Sequence, residues 1–486
     1  MKPSTPSSAP FFWPPEPDTQ RNPSGWRFQI WAPEAAAVSV AGDFQGWQIG
    51  QTPLTRSAQG VWTGFVPEAK SGDCYKYVLH HGDGTASYCA DPTALAVESA
   101  PDTAGQLWTD SGYPWQDAPW RAFWREFAHT ACPLLLCPLA LNTQVPEAYC
   151  DLIPKLKRLG YTGGVFSLGM GQQTSFFAPC AGWQPEELMA WVDAFHQAGL
   201  SVFLDWNATE FSPTYGAFLA SEGYPNQFDW NRPALRQFLR DCAQFWMGTY
   251  HMDGLRLQIE QPLCFFPNRN VGAFLSELQQ DIGKAFPHGR LFLRTPFPLE
   301  SWHGHTESSA QPLVDLFLRK TTECSASLID HALLTFPCGD STAALHACYL
   351  TYLTLPGGKQ TALGGLPEPV LQRLHRFYLS QPRLWPDSPF QWVHPPTEEL
   401  PVLAFYRGSA ATGRILCLCN PTECAHSLPL LGTFCLLYPR NTVGTVPVPI
   451  FSAVPERLCG AESILIPPQT CLLFDEIACP DDTGAG

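Results

Sequence analysis

The sequence predicts a multidomain chain: an N-terminal β-sandwich, a (β/α)8 TIM-type barrel and a C-terminal all-β domain. Three observations carry this. The first hundred residues show short strands with period-two alternation and Gly-, Asp- and Ser-bearing turns between them, the pattern of an antiparallel sandwich. From about residue 130, amphipathic helices alternate with short apolar runs, the signature of parallel βα units. After Trp392 the short strands return. At 486 residues, 45% hydrophobic and 15% charged, the chain is a globular one with material for about two to four domains.

Each element is justified by its residues. Positions 1–20 are rich in Pro and Ser and read as a disordered tail. In the sandwich, 21–110, Trp26, Phe28 and Ile30 face one way while Arg27 and Gln29 face the other; AVSVAG, GVWTGFV and CYKYVLHH supply further strands. A linker is expected at 111–130. The barrel is assigned to 131–390. There EAYCDLIPKLKRLG places Leu152, Leu156 and Leu159 at helical spacing with Gly160 as a stop, and Pro154 weakens the first half of that helix. TGGVFSL reads as a strand. QPEELMAWVDAFHQAG opens on Pro185 and two acids, aligns Leu188, Val192 and Phe195, and stops at Gly199. SVFLDW is an apolar strand ending on a carboxylate, RPALRQFLRDCAQFWMGTY a helix and HMDGLRLQI a strand. About 250 residues of this alternation suit a barrel with its chemistry at the carboxyl ends of the strands. The C-terminal domain, 391–478, contains LPVLAFYRG, GRILCLCN and SILIPPQTCLLFDE, and 479–486 form a tail.

Composition excludes several function classes. The net charge of −15 argues against nucleic-acid or anionic-membrane partners, which need basic patches. No run of about 18 apolar residues predicts a membrane span. The first residues hold no apolar run of signal-peptide length, so the 18 cysteines are expected as reduced, mostly buried thiols in the cytoplasm. WHGH (His303, His305) and the His80–His81 pair lack Cys or acidic partners at metal-ligand spacing. LGMG lacks the residues of a phosphate loop, and no nucleophile elbow occurs. Neither a metal nor a cofactor is expected.

The chain resembles the bacterial glycogen branching enzymes of the α-amylase clan, from about residue 22 to 476. WAPEAAAVSVAGDFQGW and YKYVLHHGDG…CADP are similar to the family's glycogen-binding β-module. TSFFAP, FHQAGLSVFLDW, FDWNRPALRQFLRDCAQFWMGTYHMDGLR and LTYLTLPGGKQTALGG match barrel segments in order. QRLHRFYLSQPRLW and the strands after it resemble the exit helix and closing β-domain. The segment that usually precedes PNRNVGAFLSELQQDI is missing.

The resemblance also says where the chemistry should lie. A retaining enzyme of this kind needs two carboxyl groups about 5–5.5 Å apart, one attacking the anomeric carbon and one protonating the leaving oxygen. Asp253, Gly254, Leu255 and Arg256 keep the family motif, but the nucleophile position two residues beyond the Arg is Gln258, and an amide cannot form a glycosyl-enzyme bond. LFLRTPF puts Thr295 at the acid position, where a hydroxyl is no general acid near neutral pH. Asp330 and Asp340 are the candidates for the third family carboxylate. Glu210 stands where the family has a His five residues after Asp205, and Met170 or Gly171 where it has a stacking Tyr. Asp205, Asp253 and Arg256 are the implied substrate-binding residues. Asp205 and Arg256 admit a second reading, a buried ion pair supporting the barrel. In the β-module, Trp47, Lys76 and Tyr88 fall on glucan-contact positions, although a Trp packed on its own sandwich is the plain alternative.

Two functions are compatible with these residues. One is a non-catalytic homologue in glycogen or α-glucan metabolism that binds glucan or pairs with an active glycogen-metabolising enzyme. The other is an active branching enzyme or hydrolase with displaced carboxylates drawn from Glu210, Glu260 or Glu300. Against the latter, two residues along a strand is about 6.6 Å, whereas attack geometry tolerates about an ångström. A third, purely structural reading requires a buried Trp47.

Overall fold

The computed structural model describes residues 14–18, 20, 24–98, 103–109, 112–127, 133–141, 151–168, 175–179, 183–207, 228–258, 270–296, 331–336, 343–355, 358–361, 366–386, 388–394, 400–420, 422, 424–438, 457–458, 461–468 and 470–477. It forms two compact units, one of residues 1–125, 139–151 and 165–291, the other of 126–138, 152–164 and 292–486.

The first unit begins with β1 (Glu16–Asp18), β2 (Gly25–Trp31), β3 (Ala37–Gly42), β4 (Thr55–Arg56), β5 (Val61–Val66), β6 (Cys74–His80), β7 (Ala86–Cys89), β8 (Ala96–Val97) and β9 (Gly105–Gln106). They make one sheet of order β1-β2-β5-β4 and a second of order β3-β6-β9-β8, with β7 on β6. The alternation on β2 is realised: Trp26, Phe28 and Ile30 are buried and Arg27 is exposed. Phe28 meets Tyr75 of the other sheet edge-on at 5.2 Å between centroids. The Tyr77 hydroxyl donates to the Gln29 carbonyl at 2.8 Å and accepts from the Gln29 amide at 3.2 Å, tying the sheets together.

The stretch expected as a linker contains helix α1 (Ala118–Phe127). Trp120 and Trp124, one helical turn apart, are both buried, and that apolar stripe fixes a helix where a connection was expected. The Trp124 indole donates to the His288 carbonyl (3.1 Å).

The strands that follow are β10 (Leu135–Leu141), β11 (Gly163–Leu168), β12 (Ser201–Asn207), β13 (Gly254–Gln258), β14 (Arg290–Pro296), β15 (His331–Phe336) and β16 (Gly358–Thr361), with parallel pairing of β12 with β13, of β14 with β15 and of β15 with β16. Their helices are α2 (Leu152–Leu159), α3 (Pro185–Gln197), α4 (Pro233–Thr249), α5 (Asn270–Ala285), α6 (Ala343–Thr354) and α7 (Glu368–Leu379). Helix α2 starts at Leu152, so Pro154 sits in its first turn, where a missing amide costs no helical hydrogen bond. Gly160 and Gly199, the expected stops, lie at φ 85° and 75°. The apolar run of β12 is fully used: Val202, Phe203 and Leu204 show no exposure.

In the second unit His375 of α7 is buried. Its Nδ1–H donates to the Leu159 carbonyl (2.8 Å), and Nε2 accepts from the Tyr349 hydroxyl (2.6 Å). Burial pushes its pKa down to about 4, so the ring is neutral. Strands β17 (Phe390–His394), β18 (Leu403–Ser409), β19 (Gly413–Asn420), β20 (His426–Leu431), β21 (Phe434–Tyr438), β22 (Arg457–Leu458), β23 (Ala461–Ile466) and β24 (Thr470–Glu476) form a six-stranded sheet, β17-β18-β19-β24-β21-β22, and a β20-β23 pair. Leu416, Leu418, Leu428, Ile464, Leu472 and Phe474 meet between them. Fully buried Arg407 donates to the carbonyls of Thr354 (2.5 Å) and Trp385 (2.7 Å), joining β18 to the end of α6.

Gly254 shows how tightly the parallel strands approach. A Cβ there would lie 2.1 Å from the Arg290 carbonyl oxygen and 2.9 Å from the Phe203 ring. Gly254→Ala should therefore destabilise the protein by about 1–3 kcal/mol, the usual cost of overpacking. A lowered urea midpoint measures it; an unchanged midpoint would show that the strands yield freely.

Candidate functional site

The carboxyl half of β12 and β13 holds the site that the sequence singles out. The two strands pair in parallel with Asp205 opposite Arg256 and Asn207 opposite Gln258. The Arg256 guanidinium grips Asp205 with both arms, Nε on Oδ1 at 2.9 Å and Nη2 on Oδ2. Ser167 of β11 adds a third donor, Oγ to Oδ2 at 2.8 Å. Asp205 and Arg256 are 5% and 4% exposed, so each charge is neutralised by its partner in a desolvated place, and loss of either would strand the other. Ser167 is a partner that the sequence reading missed. Its only signal is its place near the end of an apolar strand.

The structure separates Asp253 from this pair. Asp253 precedes the first residue of β13, three positions before Arg256, roughly 10 Å along a strand, and at the opposite end from where barrel chemistry is built. Its carboxylate accepts from the Trp120 indole (3.1 Å), the Val202 amide (2.8 Å) and His196 Nε2 (3.2 Å). His196 presents its other nitrogen, Nδ1, to Asp117 (3.1 Å). Asp117 also receives His251 Nδ1 (2.7 Å), and Arg121 donates to the far nitrogen of His251 (3.3 Å). Burial opposes a charge on His196, but Asp253 and Asp117 on its two nitrogens outweigh it and raise the pKa to about 9. Burial likewise works against the Asp117 carboxylate, and the two histidine hydrogen bonds hold its pKa well below the ordinary value. An imidazolium locked between two carboxylates is a structural fastening of α1, α3 and β13. None of its members adjoins Gln258 in the strand register. The substrate-binding role expected of Asp253 has this node in its place, for the physical reason that protein donors surround the carboxylate.

Other expected site residues lie partly or wholly outside the described residues. Gln258 and Thr295 are placed by backbone only: Gln258 ends β13, and Thr295 of β14 pairs with Leu334 of β15. Met170, Gly171, Glu210, Glu260, Glu300, His303, His305, Asp330 and Asp340 lie outside them.

In the β-module, Trp47 follows a single 3-10 turn (Asp43–Gln45) and sits at φ 60°. Its backbone amide donates to the Gly42 carbonyl (3.0 Å) and its indole to Asp43 Oδ1 (2.8 Å). The other Asp43 oxygen accepts the Cys74 amide (2.8 Å). The ring is thus held by hydrogen bonds and is partly buried, neither fully exposed nor sealed in the sandwich. Lys76 stands opposite Ala41, and Tyr88, 43% exposed, stands opposite Val78. Period two puts Lys76, Val78 and Tyr88 on one face, opposite the face of Tyr75 and Tyr77 that packs on Phe28. His80 Nε2 lies 3.3 Å from Ser39 Oγ and His81 Nε2 2.9 Å from Ser87 Oγ. Among the described residues no group of three or more His, Cys, Asp or Glu side chains is arranged for a metal, and no helix is long and apolar enough to cross a membrane.

Known proteins share this architecture. Residues 15–94 match Carbohydrate-binding module 48 (Isoamylase N-terminal domain). The 1,4-alpha-glucan branching enzyme GlgB of Nocardia farcinica is 33% identical over 316 residues, covering 54% of this chain and 42% of that enzyme. The enzyme of the same name from Desulfitobacterium hafniense is 27% identical over 409 residues, 71% of this chain and 64% of its own. The chain is related in sequence to these enzymes, and its matches to Nocardia farcinica, Pseudomonas aeruginosa and Bacillus subtilis GlgB span 42%, 43% and 49% of their lengths. A pullulanase from Paenibacillus barengoltzii, crystallised with maltohexaose and alpha-cyclodextrin, superposes with a TM-score of 0.65 at 13% identity, over 93% of this chain and 94% of that one. A pullulanase from Anoxybacillus, complexed with maltotetraose, gives 0.64 at 14% identity, over 96% and 87%. At such identity the likeness is one of fold alone.

The His196 node predicts a pH response with a definite sign. Its folded pKa of about 9 lies above the ordinary 6.5, so its stabilisation is complete below pH 6.5 and is lost as pH rises through about 9. The difference corresponds to roughly 3 kcal/mol. Asp117, with its pKa lowered from 3.8, contributes above that value and loses its contribution on acidification. Unfolding midpoints should therefore fall between pH 7 and 9.5, and His196→Gln should lower the midpoint at pH 6.5 and flatten that fall. An equal slope in the variant would show that another group titrates.

Proposed function

We propose, on the premise of its relation to glucan branching enzymes, that this chain acts in cytoplasmic glycogen or α-glucan metabolism as a non-catalytic homologue. It would hold glucan through its β-module and its (β/α)8-type barrel, and would support an active glycogen-metabolising enzyme. The observation that carries the reading is the strand β13 itself. Arg256 retains a bidentate, buried grip on Asp205, while the residue two positions on, where the family resemblance puts the attacking carboxylate, is Gln258. A neutral amide there and a hydroxyl at Thr295 leave neither a nucleophile nor an acid for glycosyl transfer. The partly buried Trp47, held by Asp43, supports the glucan-binding part, since an immobilised indole stacks on a sugar ring at small entropic cost.

Two measurements test this. Purified protein incubated with amylose, then debranched and profiled for chain length, should give the profile of a mock preparation. New α-1,6 branches or shortened chains would overturn the non-catalytic reading in favour of displaced carboxylates such as Glu210, Glu260 or Asp340. Trp47→Ala should weaken retention on glycogen at least about tenfold while leaving the unfolding midpoint within a few degrees. Undiminished retention would take the glucan surface away from Trp47.

A further inference from the structure

Strands β19 and β24 are the central pair of the C-terminal six-stranded sheet, and their antiparallel register sets Cys419 directly opposite Cys471. The two sulfurs stand 3.0 Å apart. Directly opposed residues on antiparallel strands have Cα atoms about 4.5–5.5 Å apart, inside the roughly 4.4–6.8 Å span that a disulfide bridges. Cys417, two residues before Cys419, shares its face. The opposite face carries Leu416, Leu418, Leu472 and Phe474 into the domain core. All three cysteines are buried, at 0%, 0% and 2% exposure for Cys417, Cys419 and Cys471. Helix α6 packs against both strands on the thiol side, with Thr351 beside Cys471 and Thr354 beside Cys417. The sequence offered no sign of this pairing, since the partners are 52 residues apart.

We propose that Cys419 and Cys471 are a redox modification site, a dithiol that closes to a cross-strand disulfide when the protein meets hydrogen peroxide. One thiol, as its thiolate, attacks the peroxide; the O–O bond breaks, hydroxide leaves and a sulfenic acid forms. The second sulfur attacks that sulfenic sulfur, the S–O bond breaks, and water leaves as the S–S bond forms. Two thiols and one peroxide become one disulfide and two waters, the thiols losing two electrons and the peroxide gaining them. The sulfurs already face each other, so closure requires no change of strand register. Burial makes the first attack slow, because the thiolate is the reacting form and burial pushes the Cys471 thiol up. Once formed, the link fastens the central strand pair across 52 residues of chain.

The test uses the full chain, freed of reductant and treated with hydrogen peroxide, with remaining thiols alkylated in denaturant. Trypsin plus chymotrypsin, which cuts after Leu418 and so parts Cys417 from Cys419, precedes mass spectrometry. The expected result is a Cys419–Cys471 linked peptide that vanishes on reduction, retained in Cys417→Ala and absent from Cys471→Ala. It is accompanied by an unfolding midpoint raised by about 5 °C or more relative to reduced protein. Recovery of Cys419 and Cys471 each alkylated from peroxide-treated, folded protein would overturn the proposal, as would a link from Cys419 to Cys417. Should Cys471→Ala fail to fold, the wild type and Cys417→Ala decide the matter alone.

Discussion

Two carboxylates closing on one buried imidazole organise the first unit. His196 is 2% exposed, and such a ring would ordinarily be neutral because burial disfavours its charge. Asp117 and Asp253, one on each nitrogen, reverse that balance. The consequence is mechanical: Asp117 leads into α1, His196 ends α3 and Asp253 leads into β13, so one charged cluster fixes three elements together. Trp120 closes the cluster by donating to Asp253 and stacking on the His196 ring at 5.5 Å. His375 of the second unit makes the contrast. Its partners are a carbonyl and a hydroxyl, no carboxylate offsets its burial, and the ring stays neutral.

This arrangement separates support from chemistry along one strand. Asp253 fastens the amino end of β13, Gly254 permits the close approach of β14, and Arg256 locks onto Asp205 farther along. All three can persist whatever occupies position 258, because each has its own protein partners. The Asp253–Arg256 run can therefore be held in place by the fold whatever side chain stands at position 258. The presence of Asp-Gly-Leu-Arg is accordingly weak evidence of catalysis, and the proposed function rests instead on Gln258, two positions beyond Arg256.

The β-module shows the same division on a surface. Asp43 gives one oxygen to the Trp47 indole and the other to the Cys74 amide, so the turn that presents the ring is tied to the sheet that carries Lys76. In the C-terminal domain the pleat sorts side chains likewise: Leu416, Leu418 and Leu472 enter the core, and Cys417, Cys419 and Cys471 gather under α6. The burial of the thiols is thus a consequence of strand register, whereas the partly buried ring is set by the turn that Asp43 braces.

The sequence by itself determined the order of architectures. Period-two alternation at Trp26–Ile30 and the helical spacing of Leu188, Val192 and Phe195 are local properties, and local patterns decide which face is buried. It also determined Gly160 and Gly199 as stops and the identity of Gln258 and Thr295 at the positions the family resemblance singles out. Only the tertiary structure decided that 111–130 holds a helix, that Asp253 belongs to a buried charge cluster rather than to a pocket, that Ser167 supports Asp205, and that Cys419 faces Cys471. These are contacts between residues tens to more than a hundred positions apart. Their energies depend on burial and on which groups converge, and no local spacing in the chain encodes that convergence.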